Sequence, residues 1–234
     1  ADRESDVWAI HIHGLGSPRA GTLRGVRAAS DLGFTSLVVS YRNDGEGPTA
    51  GSGRSTLGAT ETDDVAAALR YAIARGARRI VLFGWSMGAA IALQLAADPE
   101  FAGTIDALVL ESPVLDWSAT IAANCSRVGL PSWFGALARP WLERPTLARL
   151  VGLPGVAALA RFSWIERAHE LSVTTVIIHG VDDTSSPIDV SERLAVRRPD
   201  LVRLATFPAD HTMTWNSDPE RWRNVVKGRE SSRR

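Results

Sequence analysis

Val81-Leu82-Phe83-Gly84-Trp85-Ser86-Met87-Gly88-Ala89 decides how this chain is read. Its first half is an apolar run of strand length. Its second half leads into an apolar helical pattern, Ala89 to Ala97, closed by Asp98-Pro99. Between the two stands Gly-x-Ser-x-Gly. A serine at such a junction must occupy a very tight strand-to-helix turn, with strained backbone, for its Oγ to stand clear of the sheet. The positions two before and two after it crowd that turn, and only glycine leaves room. The helix that follows offers unpaired N–H groups and a positive dipole end to a developing oxyanion. Bare, the pattern is weak. With a strand before it and a helix after, it reads as a nucleophile turn with Ser86 as the nucleophile.

Outward from this turn, six β-rich runs recur: Val7–His13, Thr35–Tyr41, Arg79–Phe83, Ala107–Glu111, Thr174–His179 and Val202–Phe207. Most are apolar nearly throughout, as strands covered on both faces should be. Helical patterns separate them. Thr22–Leu32 carries Leu23, Val26 and Ala29 on one face, with Gly33 as its C-terminal cap. Thr60-Glu61-Thr62-Asp63 reads as a capping box opening a helix that turns Val65, Leu69, Ala72 and Ile73 inward. Asp218-Pro219 opens the last helix, which buries Trp222, Val225 and Val226. Strands alternating with helices predict an α/β three-layer sandwich, a mostly parallel sheet of about six strands with helices on both faces.

Two stretches break the rhythm. Arg42–Ala59 is a long loop rich in Gly and Ser, expected beside the site. Asp116–Glu170 is far longer than the other crossovers and holds Trp117, Trp133, Trp141 and Trp164 among four helix-breaking prolines. It predicts a helical cap insertion over residues 116–170, set into a core formed by residues 1–115 and 171–234.

A serine hydroxyl is a poor nucleophile without an adjacent base. Of five histidines, His211 alone follows the last strand in a loop, Pro208-Ala209-Asp210-His211-Thr212. In a parallel sheet that loop opens on the same carboxyl edge as Ser86. The acid that orients the imidazole is sought in Asp182-Asp183, which again leaves a strand at that edge; Asp116 is an outside candidate and Asp210 is read as an ordinary loop residue. The order Ser86, Asp, His211 is the one such a sheet requires. For an oxyanion hole, one N–H is expected from Met87 and the other from the loop His13-Gly14-Leu15-Gly16-Ser17, at Leu15. Trp85, Trp117 and Trp215 are the expected substrate-binding aromatics.

These residues resemble the α/β-hydrolase superfamily over nearly the whole chain, in the His13-Gly14 turn, the Gly84–Gly88 elbow, the acid loop His179-Gly180…Asp183…Pro187 and the His211 loop. The acid-loop spacing of the superfamily favours Asp183 over Asp182. More narrowly, Tyr41-Arg42-Asn43, Glu111-Ser112-Pro113 and His211-Thr212-Met213-Thr214-Trp215 resemble prolyl-oligopeptidase-like and Bem46-like hydrolases. Alanine replaces a frequent glycine at Ala89, and the usual N-terminal antiparallel strand pair is absent. The resemblance implies an esterase with a Ser86–Asp183–His211 triad, acting on a small-molecule ester with a hydrophobic acyl or aryl group, without cofactor or metal. A peptidase, amidase or acyltransferase would share the triad, and a non-catalytic binding domain is the remaining reading.

With 26 basic and 26 acidic residues the chain has no net charge, which removes the long-range case for nucleic acid or an anionic membrane surface. Lys227, Arg229, Arg233 and Arg234 read as a solvated tail. Cys125 is the single cysteine, so no internal disulfide forms. Apolar runs are strand-length and none spans a bilayer. The chain starts at Ala1 and enters a strand at Val7, leaving room for a removed upstream segment with targeting or membrane-anchoring information; for the chain as it stands a cytoplasmic location is expected. The sequence names neither the substrate's two halves nor the oligomeric state.

Overall fold

Successive side chains of a strand point to opposite faces, and here both faces are apolar. Trp8, Ile10, Ile12, Ile80 and Leu82 enter one core layer, while Ala9, Val81, Phe83 and Trp85 enter the other. The computed structural model describes residues 5–228. Its strands are β1 (Val7–Ile12), β2 (Thr35–Val38), β3 (Arg79–Trp85), β4 (Ile105–Glu111), β5 (Thr174–Gly180) and β6 (Val202–Phe207). They form one sheet of order β2-β1-β3-β4-β5-β6, parallel at every pairing. The order reverses between β1 and β3. Ligand crevices of open parallel sheets form at such a switch point, outside the carboxyl ends of the strands.

Helices cover both faces. On one lie α2 (Glu61–Ala74), α3 (Met87–Ala96) and α7 (Ile188–Arg197), through Val65, Leu69, Leu93, Val190 and Leu194. On the other lie α1 (Leu23–Ser30) and, at the chain's end, a helix over Pro219–Val226, through Ala28, Ala29, Trp222 and Val225. Between β4 and β5 run α4 (Trp117–Arg127), α5 (Phe134–Glu143) and α6 (Pro145–Leu150). From this stretch Trp117, Leu159, Phe162 and Trp164 join the first core layer. With α8 (Thr214–Ser217) following β6, the terminal helix is α9. No helix among the described residues is long and apolar enough to cross a membrane.

Several local expectations need correction. The α1 face is rotated: Gly25, Ala28 and Ala29 are buried, while Leu23 is exposed. The cause is close packing, since a Cβ on Gly25 would lie 2.6 Å from the Trp85 ring. There is no capping box at Thr60, whose side chain makes no cap hydrogen bond. Glu61 instead turns back, buried, and accepts from the Thr56 hydroxyl at 2.6 Å and from the N–H groups of Thr56 and Gly58. Ile73 faces solvent. β1 and β2 end before His13 and Tyr41, because both residues leave the ladder for a polar cluster described below. Asp218 caps α9 as read, accepting from the Arg221 N–H at 2.9 Å. Lys227 pairs with Asp31 at 2.8 Å rather than floating free; Arg229, Arg233 and Arg234 lie outside the described residues.

Candidate active site

Ser86 stands between β3 and α3 with φ 52° and ψ −114°, a conformation few L-residues adopt and one that costs of order 1–3 kcal/mol. Neighbouring backbone offsets that cost. The Ser86 N–H donates to the Glu111 carbonyl at 3.0 Å, and its carbonyl accepts from Val114 at 3.2 Å. The two glycines of the turn are sterically required. A Cβ on Gly84 would lie 2.5 Å from Ala89 Cα, and one on Gly88 would lie 2.1 Å from the Ile12 carbonyl oxygen. The turn is thus wedged between its own helix and the end of β1.

His211, in the loop after β6, places Nε2 2.9 Å from Ser86 Oγ and Nδ1 2.8 Å from Asp183 Oδ2. Asp183, in the loop after β5, accepts on Oδ1 from the N–H groups of Ser185 (2.9 Å) and Ser186 (2.8 Å). His179 Nε2 lies 3.2 Å from its Oδ2. Burial works against the Asp183 charge, but the hydrogen bonds from His179, His211 and Ser186 outweigh it and hold the carboxyl well below the ordinary carboxylate range. The other acids lie elsewhere. Asp182 is exposed. Asp116 caps α4, accepting from Ser118 and Ala119. Asp210 clasps the acid loop to the histidine loop, accepting from the N–H groups of His211 (2.7 Å) and Thr184 (3.1 Å).

The loop after β1 closes on Ser86 from the other side. Gly14 approaches so closely that a Cβ there would meet Ser86 Cβ at 3.1 Å. Its position is held by His13, fully buried, which donates from Nε2 to Asp44 at 3.0 Å and stacks on Tyr41. Asp44 also takes the Ser40 hydroxyl at 2.5 Å and the N–H groups of Tyr41, Glu46 and Gly47. The 42–59 loop is therefore tied to the site through Asp44. Leu15, Ser86, His211, Trp85 and Thr212 line a depression of about 80 Å³. Met87 opens α3 beside it, its own side chain buried with Sδ 3.6 Å from the Ser55 hydroxyl.

The three tryptophans expected at substrate part company. Trp85 lines the depression. Trp117 is in the core, its indole N–H on the Leu57 carbonyl at 3.0 Å, where its large apolar area is best buried. Trp215 lines a separate, larger cavity.

Below the depression lies a residue whose part the sequence did not disclose. Glu111, at the end of β4, is fully buried and collects donors from four elements. Trp85 donates its indole N–H at 2.7 Å and Trp222 at 3.2 Å; Thr214 donates its hydroxyl at 2.5 Å; Arg24 approaches to 3.5 Å. Burial raises the Glu111 carboxyl against the pull of Arg24, Thr214 and Trp85. Next to it, Ser112 Oγ accepts from the Thr212 N–H at 3.1 Å. The end of β4 thus fixes both the elbow and the loop bearing His211. Asn124 of α4 performs a smaller service, donating to the Ser185 carbonyl at 3.0 Å beside the acid.

The alpha/beta hydrolase family matches residues 9–225 of the chain. No curated protein matches it. Among solved structures, the esterase Pf2001 of Pyrococcus furiosus is similar at TM-score 0.73 and 21% identity, over 96% of this chain and 82% of that one. A lipase-esterase related protein from Clostridium acetobutylicum is similar at TM-score 0.66 and 14% identity, over 97% and 95%. The esterase RhEst1 from Rhodococcus sp. gives TM-score 0.64 and 18% identity, over 96% and 91%. At these identities the likeness is one of fold.

Proposed function

We propose a serine hydrolase that cleaves carboxylic esters: the chain belongs to the alpha/beta hydrolase family, and one observation carries the reading beyond that. Ser86 Oγ, His211 and Asp183 form an unbroken relay of 2.9 and 2.8 Å from three separate loops. In this reading His211 Nε2 takes the Ser86 proton as Oγ bonds to the acyl carbon. The N–H groups of Met87 and Leu15 face the resulting oxyanion. The intermediate collapses with expulsion of the alcohol, which receives the proton from His211, and water repeats the sequence to release the acid. Asp183 holds Nδ1–H, so that Nε2 is free to accept, and stabilises the imidazolium.

Residues 116–170 are proposed as a cap beside this site. Supporting that role, Asn124 touches the acid loop, and Trp133, Phe134, Leu137 and Trp141 leave apolar surface exposed. A small to medium hydrophobic acyl or aryl ester fits such surroundings. The test is pre-steady-state hydrolysis of 4-nitrophenyl esters of graded chain length beside the matching anilides. A nitrophenol burst equal to the enzyme concentration, with slower anilide turnover, is the expected result. Faster anilide cleavage would move the assignment to an amidase.

A further inference from the structure

The depression over Ser86, at about 80 Å³, has room for two or three water-sized groups at about 30 Å³ each. It accommodates a reacting carbonyl and little more. Beside it lies a cavity of about 680 Å³ lined by Arg24, Arg27, Arg223, Trp215, Leu23 and Pro219, within the size range of small-molecule sites. Gly21 and Arg24 line both, so the two spaces share a wall. Arg24 also lies over the ring of Trp85, 5.5 Å from its centroid, one residue from the nucleophile.

The larger cavity has an unusual charge. Three guanidinium groups line it and no carboxylate does, in a chain whose charges otherwise balance. Arg24 is held from below by Glu111 at 3.5 Å, and its Nε is buried with no partner among the described residues. The Asp31 carboxylate near Arg27 and Arg223 is already held by Lys227 at 2.8 Å. Guanidinium forks suit planar and tetrahedral oxyanions, while Leu23, Trp215 and Pro219 supply apolar wall.

We infer that this cavity is an oxyanion subsite, and that the ester cleaved at Ser86 carries a second, anionic end, a carboxylate or a phosphate, on an apolar arm. The inference rests on the esterase reading of Ser86. The scissile carbonyl occupies the small depression, the arm passes Gly21 and Arg24, and the anion meets Arg27 and Arg223.

The experiment compares three nitrophenyl esters of equal length, ending in methyl, carboxylate or phosphate, on wild type and on the Arg27→Gln/Arg223→Gln double variant. Both arginines lie at the surface, and a matching thermal midpoint checks that the variant folds. Wild type is expected to prefer one anionic ester over the neutral one by kcat/KM, and the preferred terminus identifies the anion. That preference should fall about tenfold or more in the variant, since charge-assisted hydrogen bonds are lost, and should fall in wild type at high salt. Turnover of the neutral ester with no anionic preference, or with a preference the substitutions leave intact, overturns the subsite alone. No turnover of any ester, with Ser86 inert to a fluorophosphonate, overturns the esterase reading and the subsite's substrate with it.

Discussion

Replacing Asp183 by asparagine should be far more damaging than the same change next door, and the hydrogen bonds show why. Oδ1 of Asp183 accepts from two backbone N–H groups, at 2.9 and 2.8 Å, while Oδ2 faces His211 Nδ1 at 2.8 Å and His179 Nε2 at 3.2 Å. An asparagine must keep its oxygen toward the backbone donors, which turns its NH₂ toward the two imidazoles. His211 Nδ1 can then only accept, so its proton moves to Nε2 and points at Ser86 Oγ, 2.9 Å away. A donor now stands where a base is needed. The opposite rotamer sets NH₂ against two N–H groups and is worse. Loss of the correct tautomer costs about 10⁴ in kcat/KM, or about 5 kcal/mol of transition-state stabilisation. Asp182 is exposed, so Asp182→Asn should stay within about twofold. The assay is nitrophenyl ester kinetics at neutral pH on both variants. A loss under about tenfold for Asp183→Asn, or an equal loss for Asp182→Asn, refutes the reasoning.

Three other perturbations test the scaffold. Glu111→Leu leaves two indole N–H groups, the Thr214 hydroxyl and Arg24 facing an apolar side chain; unfolding by urea should show a loss of about 3–5 kcal/mol, and a loss under about 1 kcal/mol contradicts its anchoring part. Gly88→Ala forces a methyl group to 2.1 Å from the Ile12 carbonyl oxygen; the displaced elbow should lose about a hundredfold in kcat, and near-normal activity would show that the turn has slack. His11, buried against Phe83 and Trp85, has its pKa lowered by burial to about 3. Its folded value lies below its unfolded one, so its contribution is intact above about pH 6.5 and is lost as pH falls toward 3, by about 1.4 kcal/mol per unit. Urea midpoints at pH 7 and 5 should therefore converge in His11→Gln, and parallel losses in variant and wild type would discard His11 as the cause.

The sheet and the elbow were legible because their signals are local. A strand apolar on both faces and a serine between two glycines need no distant partner to be recognised. That Ser86, His211 and one of Asp182 and Asp183 would meet followed from topology, since every loop after a parallel strand opens at one edge, while the choice of Asp183 came from the superfamily's acid-loop spacing. Glu111 was singled out only within the Glu111-Ser112-Pro113 resemblance, and its anchoring part was not legible. At the end of a strand it reads as a polar terminus, and its partners Trp85, Thr214, Trp222 and Arg24 lie 26, 103, 111 and 87 residues away in sequence. The α1 face was misread for a similar reason. Leucine at Leu23 outweighs Gly25 in any periodicity, yet the helix must come close to Trp85, and only the glycine permits that. At Thr60 the capping-box spacing was present, but the Thr60 hydroxyl pairs with the Thr56 hydroxyl of the preceding loop at 2.7 Å. Trp117, buried in the core, and Trp215, on a cavity wall, show that residue type alone does not place an aromatic side chain.

The most direct test is covalent. Wild-type protein treated with a fluorophosphonate, digested and analysed by mass spectrometry should carry a single adduct, on the peptide containing Ser86, and Ser86→Ala should carry none. A folded wild type that stays unmodified, or an adduct on another residue, would contradict the claim that His211 and Asp183 make that hydroxyl reactive.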